Sequence, residues 1–322
     1  MMKTTILGRT GLVTTTAGLG SGGFSRIGYE KYGENHAAGI VRRAYELGVR
    51  FFDSATLYGT ESAVGEGLKG FDRSNYVIST KYPIMEGWRE NCKERFAKTL
   101  DSSLRALGTD YIDIYHFHGV MPDEYEDVRE LLLPEMLKAR DAGKIRFPGI
   151  TERFVLDTSH KMLDKALDDD VFDVIMVGFN IMNPSAAKTV FPKALERNIG
   201  VLNMFAVRQA LANPAQMKAD IARILEYGQG GLGLEANENA LDFLMDSDAD
   251  GSPIAASIMD AAYRFSMHTT GINVVLTGTG NQAHLEENLK SLESSPLPQS
   301  ILEKLDSLFG LSDCVCGQEI NS

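Results

Sequence analysis

A carboxylate at Asp53, a phenol at Tyr58, an ammonium at Lys81 and two imidazoles at His116 and His118 each follow a short apolar run of the sequence. A tyrosine hydroxyl ordinarily titrates near 10, too high for efficient proton exchange at neutral pH unless a neighbouring cation favours the phenolate. Lys81 is the residue of this set able to supply that field, Asp53 would hold the lysine in place and charged, and a histidine would hydrogen-bond the same substrate oxygen as the tyrosine. Together these types make a general acid facing a polarised carbonyl. The set lacks a nucleophile and a metal cluster, so the carbon must be attacked by something bound, and a hydride donor fits that requirement.

Those residues need a scaffold that brings the ends of several strands together. Apolar runs at 17–20, 49–52, 76–79, 111–115, 144–150, 172–177, 201–204 and 273–277 read as eight strands. Helical stripes fall between them, such as Ile40, Val41, Ala44 and Leu47 before Gly48, or Phe96, Leu100, Leu104 and Leu107 before Gly108. Strict alternation of strand and helix implies a parallel sheet with right-handed crossovers, and eight units are the number that closes a TIM (β/α)8 barrel. In such a barrel, chemistry sits at the carboxyl ends of the strands, which is where Asp53, Tyr58, Lys81 and the two histidines fall. The interval between the seventh and eighth strands is enlarged, with a glycine-rich stretch at 228–233 and an acidic one at 246–250. No Pro- or Ser-rich linker divides the chain, so one domain over residues 1–322 is expected.

Composition excludes other classes. The 322 residues carry 32 Lys and Arg against 44 Asp and Glu, a net charge of −12, which argues against a broad phosphate-tracking surface for nucleic acid or an anionic membrane. With no run near the roughly 18 apolar residues of a membrane span and no apolar signal region, a cytoplasmic chain is expected. Cys92, Cys314 and Cys316 are too few for a disulfide framework, and the Cys314/Cys316 pair has no second pair to close a metal site.

Two stretches satisfy G-x-G-x-x-G, at Gly18, Gly20, Gly23 and at Gly228, Gly230, Gly233. The first runs into no helical stripe and the second follows a helix, so both read as loop glycines instead of a dinucleotide fingerprint. Asp246, Asp248, Asp250 and Gly251 copy the opening of a calcium loop, but its twelfth position is Ser257 and Pro253 interrupts it, which leaves an exposed acidic turn. A barrel glycosidase would need paired strand-end carboxylates, for which Asp53 and Glu152 are the obvious pair.

The segments F-F-D-S-A-T-L-Y-G at 51–59, S-T-K at 79–81, Y-I-D-I-Y-H-F-H at 111–118, G-K-I-R-F-P-G-I-T at 143–151 and G-T-G-N-Q-A-H-L-E-E-N at 278–288 together resemble the aldo/keto reductase superfamily, in order from about Leu7 to about Phe309. The resemblance implies a catalytic tetrad of Asp53, Tyr58, Lys81 and His118 and an NADP(H) or NAD(H) cofactor extended across the barrel mouth without a Rossmann fold. It places Ser21 beside the nicotinamide, Thr151, Glu152 and Met176 at the carboxamide, and Met204 against the ring. Three of these depart from the Asn, Gln and Tyr usual there. It places Gly278, Thr279, Gly280 and Asn281 at the phosphate turn, and His284, Glu287 and Asn288 around the adenine and its ribose, with His284 where NADPH-selective members often carry Arg.

In this family the substrate is met by loops and the tail, which makes Tyr82, Trp88, Met121 and the segment after Phe309 candidate pocket residues for a carbonyl compound or sugar. The wording G-I-T-E at 149–152 and D-V-I-M-V-G-F-N at 173–180 is similar to the L-galactose and D-threo-aldose 1-dehydrogenase branch. Two alternatives accompany the carbonyl reductase expectation: a sugar 1-dehydrogenase working in the oxidative direction, and a cofactor-binding regulatory subunit with little turnover.

Overall fold

A computed structural model describes residues 2–247 and 251–318. It opens with an antiparallel hairpin, β1 (Thr4–Ile6) and β2 (Val13–Thr15). Eight parallel strands follow: β3 (Ala17–Gly20), β4 (Phe51–Asp53), β5 (Val77–Pro83), β6 (Ile112–Val120), β7 (Ile145–Glu152), β8 (Val174–Gly178), β9 (Gly200–Met204) and β10 (Val274–Thr277). Each pairs with its sequence neighbour, and β10 closes on β3, giving the expected closed barrel.

Side chains alternate faces along a strand. Phe51, Val77, Ile114, Val174, Met176, Leu202 and Val274 point inward and fill the barrel. Leu7 and Leu12, on either side of the hairpin turn, join this cluster, so the hairpin contributes apolar side chains to the barrel interior. Residues of opposite parity, such as Phe52, Ile78, Tyr82, Tyr115 and Phe117, pack against the surrounding helices. The parity of Phe51, Val77 and Ile114 also turns Asp53, Ser79, Lys81, His116 and His118 inward, above the apolar layer. The strands β5 and β6 run further than their apolar runs suggest, so Lys81 and both histidines lie within strands, with Lys81 beside His116 in register.

The enlarged interval between β9 and β10 contains a helix at Pro214–Glu226, a short turn of helix at Asp242–Met245 and the barrel helix Ile258–Met267. Its apolar residues Met217, Ile221, Ile224 and Leu244 pack with Leu305, Leu308 and Phe309 of the C-terminal helix Gln299–Phe309 to form a second core. Helices 214–226 and 299–309 carry apolar stripes that face this second core and not the barrel. The aspartates at 248 and 250 of the calcium-like stretch lie outside the described residues. Among the described residues no helix is long and apolar enough to cross a membrane.

The glycine pairs have packing reasons. A Cβ at Gly18 would meet Leu276, Val274 and Phe51 side chains at 2.8–3.0 Å, so this glycine lets β3 and β10 approach inside the barrel. Gly228 closes helix 214–226 in the left-handed conformation.

Candidate active site

Lys81 is completely buried, and its Nζ donates to Asp53 Oδ2 at 2.6 Å and to the Ser54 carbonyl at 2.6 Å. Ser79 donates its hydroxyl to the other Asp53 oxygen at 2.8 Å, and His116 Nε2 lies 3.1 Å from Ser79 Oγ. His116 therefore supports the ion pair from behind. Tyr58, in the short helical turn after β4, brings its ring over this pair, with the Lys81 ammonium 5.1 Å from the ring centroid. Tyr58 Oη stands 3.5 Å from His118 Nε2, and the two rings meet edge to face. All four expected tetrad residues thus share one locus.

The electrostatics divide the roles. Burial pulls the Lys81 ammonium down, but Asp53 and Tyr58 outweigh it and hold the amine above its ordinary range. Burial pushes the Tyr58 phenol up, with Lys81 pulling back and Asp53 adding to the rise. The lysine field expected from the sequence is therefore present, but desolvation exceeds it, and Tyr58 carries its proton at neutral pH. Burial, reinforced by Lys81 and Arg153, lowers His118 to about 3. His118 is a neutral imidazole throughout the physiological range.

A cavity of about 660 Å³ runs from this locus across the mouth, a size suited to a bound cofactor. Asp53, Tyr58, Met176 and Met204 line one end, and Gly278, Thr279, His284, Glu287 and Asn288 the other. Ser21 does not line it; its hydroxyl is engaged with Ser54 at 2.9 Å and Thr60 at 2.8 Å in a buried cluster behind the loop. Asn281 spends its side chain capping helix Gln282–Glu293 through the Ala283 and His284 N–H groups, so the turn of Gly278–Gly280 is what it can offer an anion. Asn288 donates to Thr277 Oγ1 at 2.9 Å. Thr151 accepts from the Gly119 N–H at 2.8 Å, and Glu152 is bound to His160 and the Gly178 N–H.

The turn is held by close backbone packing: a Cβ at Gly280 would come within 2.6 Å of the Gly28 backbone. Gly280→Ala is therefore expected to destabilise the fold by about 1–3 kcal/mol and to weaken nucleotide binding. Thermal unfolding and a nucleotide titration check this, and an unchanged melting temperature would contradict the packing account.

Three expected pocket residues are corrected. Tyr82 has the outward parity of β5 and packs on Phe96, with ring centroids 5.2 Å apart. Trp88 is buried in the helix-layer core with Arg89 over its ring at 4.7 Å. Met121 is placed by the turn after β6, where its N–H bonds Glu124, away from both mouth cavities. A second hollow of about 390 Å³ beside Tyr58 and His118 is lined instead by Leu57, Ile84, Met85, Phe154, Val155 and Phe205. From the tail, Gln318 reaches the larger cavity.

Arg208 lines the larger cavity and was not legible as a site residue. Its guanidinium lies 3.8 Å over the Phe205 ring and Nε donates to the Cys316 carbonyl, while Nη2 is buried with no hydrogen-bond partner among the described residues. An orphaned buried guanidinium nitrogen suits an anionic ligand. The signal available was position alone, since 205–208 directly follow a barrel strand. Asp53 and Glu152, the pair a glycosidase would need, are each engaged by a buried basic side chain, Lys81 and His160.

A closed barrel with a buried Lys–Asp pair beside a tyrosine and a neutral histidine defines a class of carbonyl-handling oxidoreductase. The model of the aldo/keto reductase family matches residues 17–309, and the chain belongs to that family of NAD(P)(H)-dependent oxidoreductases. It is 26% identical to an L-galactose dehydrogenase of Arabidopsis thaliana, over 94% of this chain and 93% of that one. Its fold is similar to that of an aldo-keto reductase from Bacillus halodurans in its holo form, with a TM-score of 0.74, 23% identity and 99% of both chains covered. It is also similar to an aldo/keto reductase from Klebsiella pneumoniae in complex with NADP and acetate, with a TM-score of 0.67, 17% identity, and 99% of this chain and 100% of that one covered.

Proposed function

We propose that this barrel interconverts a carbonyl and an alcohol, with Tyr58 Oη as the proton donor in reduction and the acceptor in oxidation. The observation that carries the reading is the buried Lys81–Asp53 pair placed under Tyr58 and within reach of His118 at the wall of an elongated cavity. The bound nicotinamide supplies or accepts the hydride. The chain's own residues handle the proton. Tyr58 enters reduction as a neutral phenol, and as its proton moves to the substrate oxygen the Lys81 ammonium stabilises the phenolate left behind. Asp53 keeps Lys81 charged and aimed, and neutral His118 orients the oxygen between itself and Tyr58.

The cavity residues fit the cofactor. Gly278–Gly280 and Arg208 would hold its phosphates, Met176 and Met204 would pack on the flat ring through polarisable sulfur, and the second hollow would take the substrate. That hollow is mainly apolar, which suits a small aldehyde or ketone, and Glu86, His118, Thr151 and Arg153 among its lining offer polar groups to the hydroxyls of an aldose. The likeness to an L-galactose dehydrogenase supports placing aldoses at the head of the substrate panel.

The test is titration with NADPH and NADH followed by a panel of aldehydes, ketones and aldoses in both directions. Turnover is the expected result; binding of nucleotide without turnover of any member would replace this reading by a regulatory one. Selectivity has its own prediction. His284 sits in the first turn of helix Gln282–Glu293, where a fixed cation would face a 2'-phosphate. His284→Arg is expected to raise the preference for NADPH over NADH roughly tenfold. An unchanged ratio of the two dissociation constants would remove His284 from the 2'-phosphate site.

A further inference from the structure

Glu152 ends β7 at the mouth and lines the smaller hollow together with Tyr58, His118, Met176 and Met204. Its carboxylate is nevertheless turned to a histidine. His160 Nδ1 lies 3.0 and 2.9 Å from the two Glu152 oxygens, and the Gly178 N–H donates to Oε1 at 2.8 Å. His160 is completely buried, stacked on Phe154 with ring centroids 5.5 Å apart. Its Nε2 is 3.0 Å from Ser185 Oγ, and Ser185 donates its own proton to Asn183 Oδ1 at 2.6 Å.

The order Ser185–His160–Glu152 imitates a nucleophilic triad, yet Ser185 gives its hydroxyl proton to Asn183 Oδ1, while His160 Nε2 faces the serine oxygen and Nδ1 faces the Glu152 carboxylate. An imidazole facing a hydroxyl that donates elsewhere is not placed to activate the serine. What remains is a buried ion pair whose net charge is set by one imidazole proton.

We propose that the Glu152–His160 pair tunes the relative affinity of this barrel for oxidised and reduced nicotinamide cofactor. With His160 protonated the pair is neutral and distinguishes the two poorly. Loss of that proton leaves a carboxylate in the smaller hollow beside Met176 and Met204, which also line the cofactor cavity, and a net negative charge there favours the cationic oxidised ring over the neutral reduced one. The inference rests on the cofactor reading above and concerns positioning residues, since neither side chain exchanges a proton with substrate.

Burial raises the Glu152 carboxyl while His160 and the Gly178 N–H pull it back, so Glu152 and His160 titrate as one pair whose net charge changes with a single proton. Burial pulls the His160 imidazole down, but Glu152, with Asp157 and Asp313 adding to the effect, raises it above the ordinary value. Of the groups around the reaction locus, His116 and His118 are depressed by burial and by Lys81 and stay neutral, while Tyr58 and Lys81 are raised. Asp53 is paired with Lys81. The cofactor's own phosphates are common to both redox forms and cancel in a ratio.

The experiment measures dissociation constants of NADPH and NADP+ for the full chain from about pH 6 to 9.5. The ratio Kd(NADPH)/Kd(NADP+) is expected to rise roughly tenfold with pH, and Glu152→Gln is expected to flatten it. Reciprocity gives a second readout that needs no altered active site. By NMR, His160, assigned from the signal lost in His160→Gln, should titrate about one pH unit lower with NADP+ bound than with NADPH bound. Binding of both nucleotides with a pH-independent ratio, or one His160 titration common to both complexes, overturns this inference alone. Binding of neither nucleotide removes the cofactor reading and this inference with it.

Discussion

Tyr58→Phe is expected to lower kcat for carbonyl reduction by roughly 10²–10⁴-fold, the span usual for loss of a positioned general acid. The substitution deletes one oxygen from a ring whose position is set by other contacts: the edge of His118, the Lys81 ammonium and the Gly22 backbone, where a Cβ would come within 2.6 Å of the ring. The cavity walls are unchanged, so the dissociation constant for nucleotide should stay within about twofold, as expected for a group that acts in the transition state more than in the ground state. Single-turnover kinetics with preloaded cofactor read the chemical step directly. Unchanged turnover would end the role given to Tyr58.

Lys81→Met should damage both activity and stability. Its Nζ is the charged partner of a carboxylate that is itself buried, at 2.6 Å, so removal strands Asp53 in an apolar interior. Truncating one member of such a pair costs about 3–5 kcal/mol, and the remaining carboxylate takes up a proton to escape part of that cost. The catalytic effect follows from the same field. Lys81 pulls the Tyr58 phenol down against the desolvation that raises it, so without the lysine the phenol rises further and its phenolate loses stabilisation. Oxidation of an alcohol, which needs Tyr58 to accept a proton, should therefore lose more than reduction at neutral pH, and its pH–rate profile should move to higher pH. Asp53→Asn with Lys81→Met restores a neutral interior and should recover part of the stability without recovering the rate. If the double variant regains activity, Lys81 acts through packing and not through charge.

The cluster of Asp53, Tyr58, Lys81 and His118 was legible because each is an uncommon polar type close after an apolar run; alternation along β4, β5 and β6 puts Asp53, Lys81 and His118 on the inner face, and the short turn after β4 brings Tyr58 over them. The glycine turn at 278–280 was legible for a related reason, since it precedes a helix with an Asn cap. Tyr82 misled because the apolar run ends at Ser79 whereas β5 continues to Pro83, so alternation extends to Tyr82 and sends it outward. Trp88 misled because a single large aromatic in a loop gives the same sequence signal whether it faces a ligand or a core. Arg208 was silent for the opposite reason: its meaning depends on Phe205, Cys316 and the cavity, which are far apart or featureless in sequence.

The chain's period of strand and helix, a local property of apolar patterning, by itself determined an eight-stranded parallel barrel and the placement of Asp53, Tyr58, Lys81 and His118 at its mouth. Tertiary structure alone decided how those residues are charged. Whether a phenol gains more from an ammonium than it loses to burial, whether Glu152 faces a cofactor unaccompanied or through His160, and whether a guanidinium is paired depend on distances between groups many residues apart. Burial raised Tyr58 against the pull of Lys81, and His160 joined Glu152 across the intervening residues 153–159, which carry no pattern of their own.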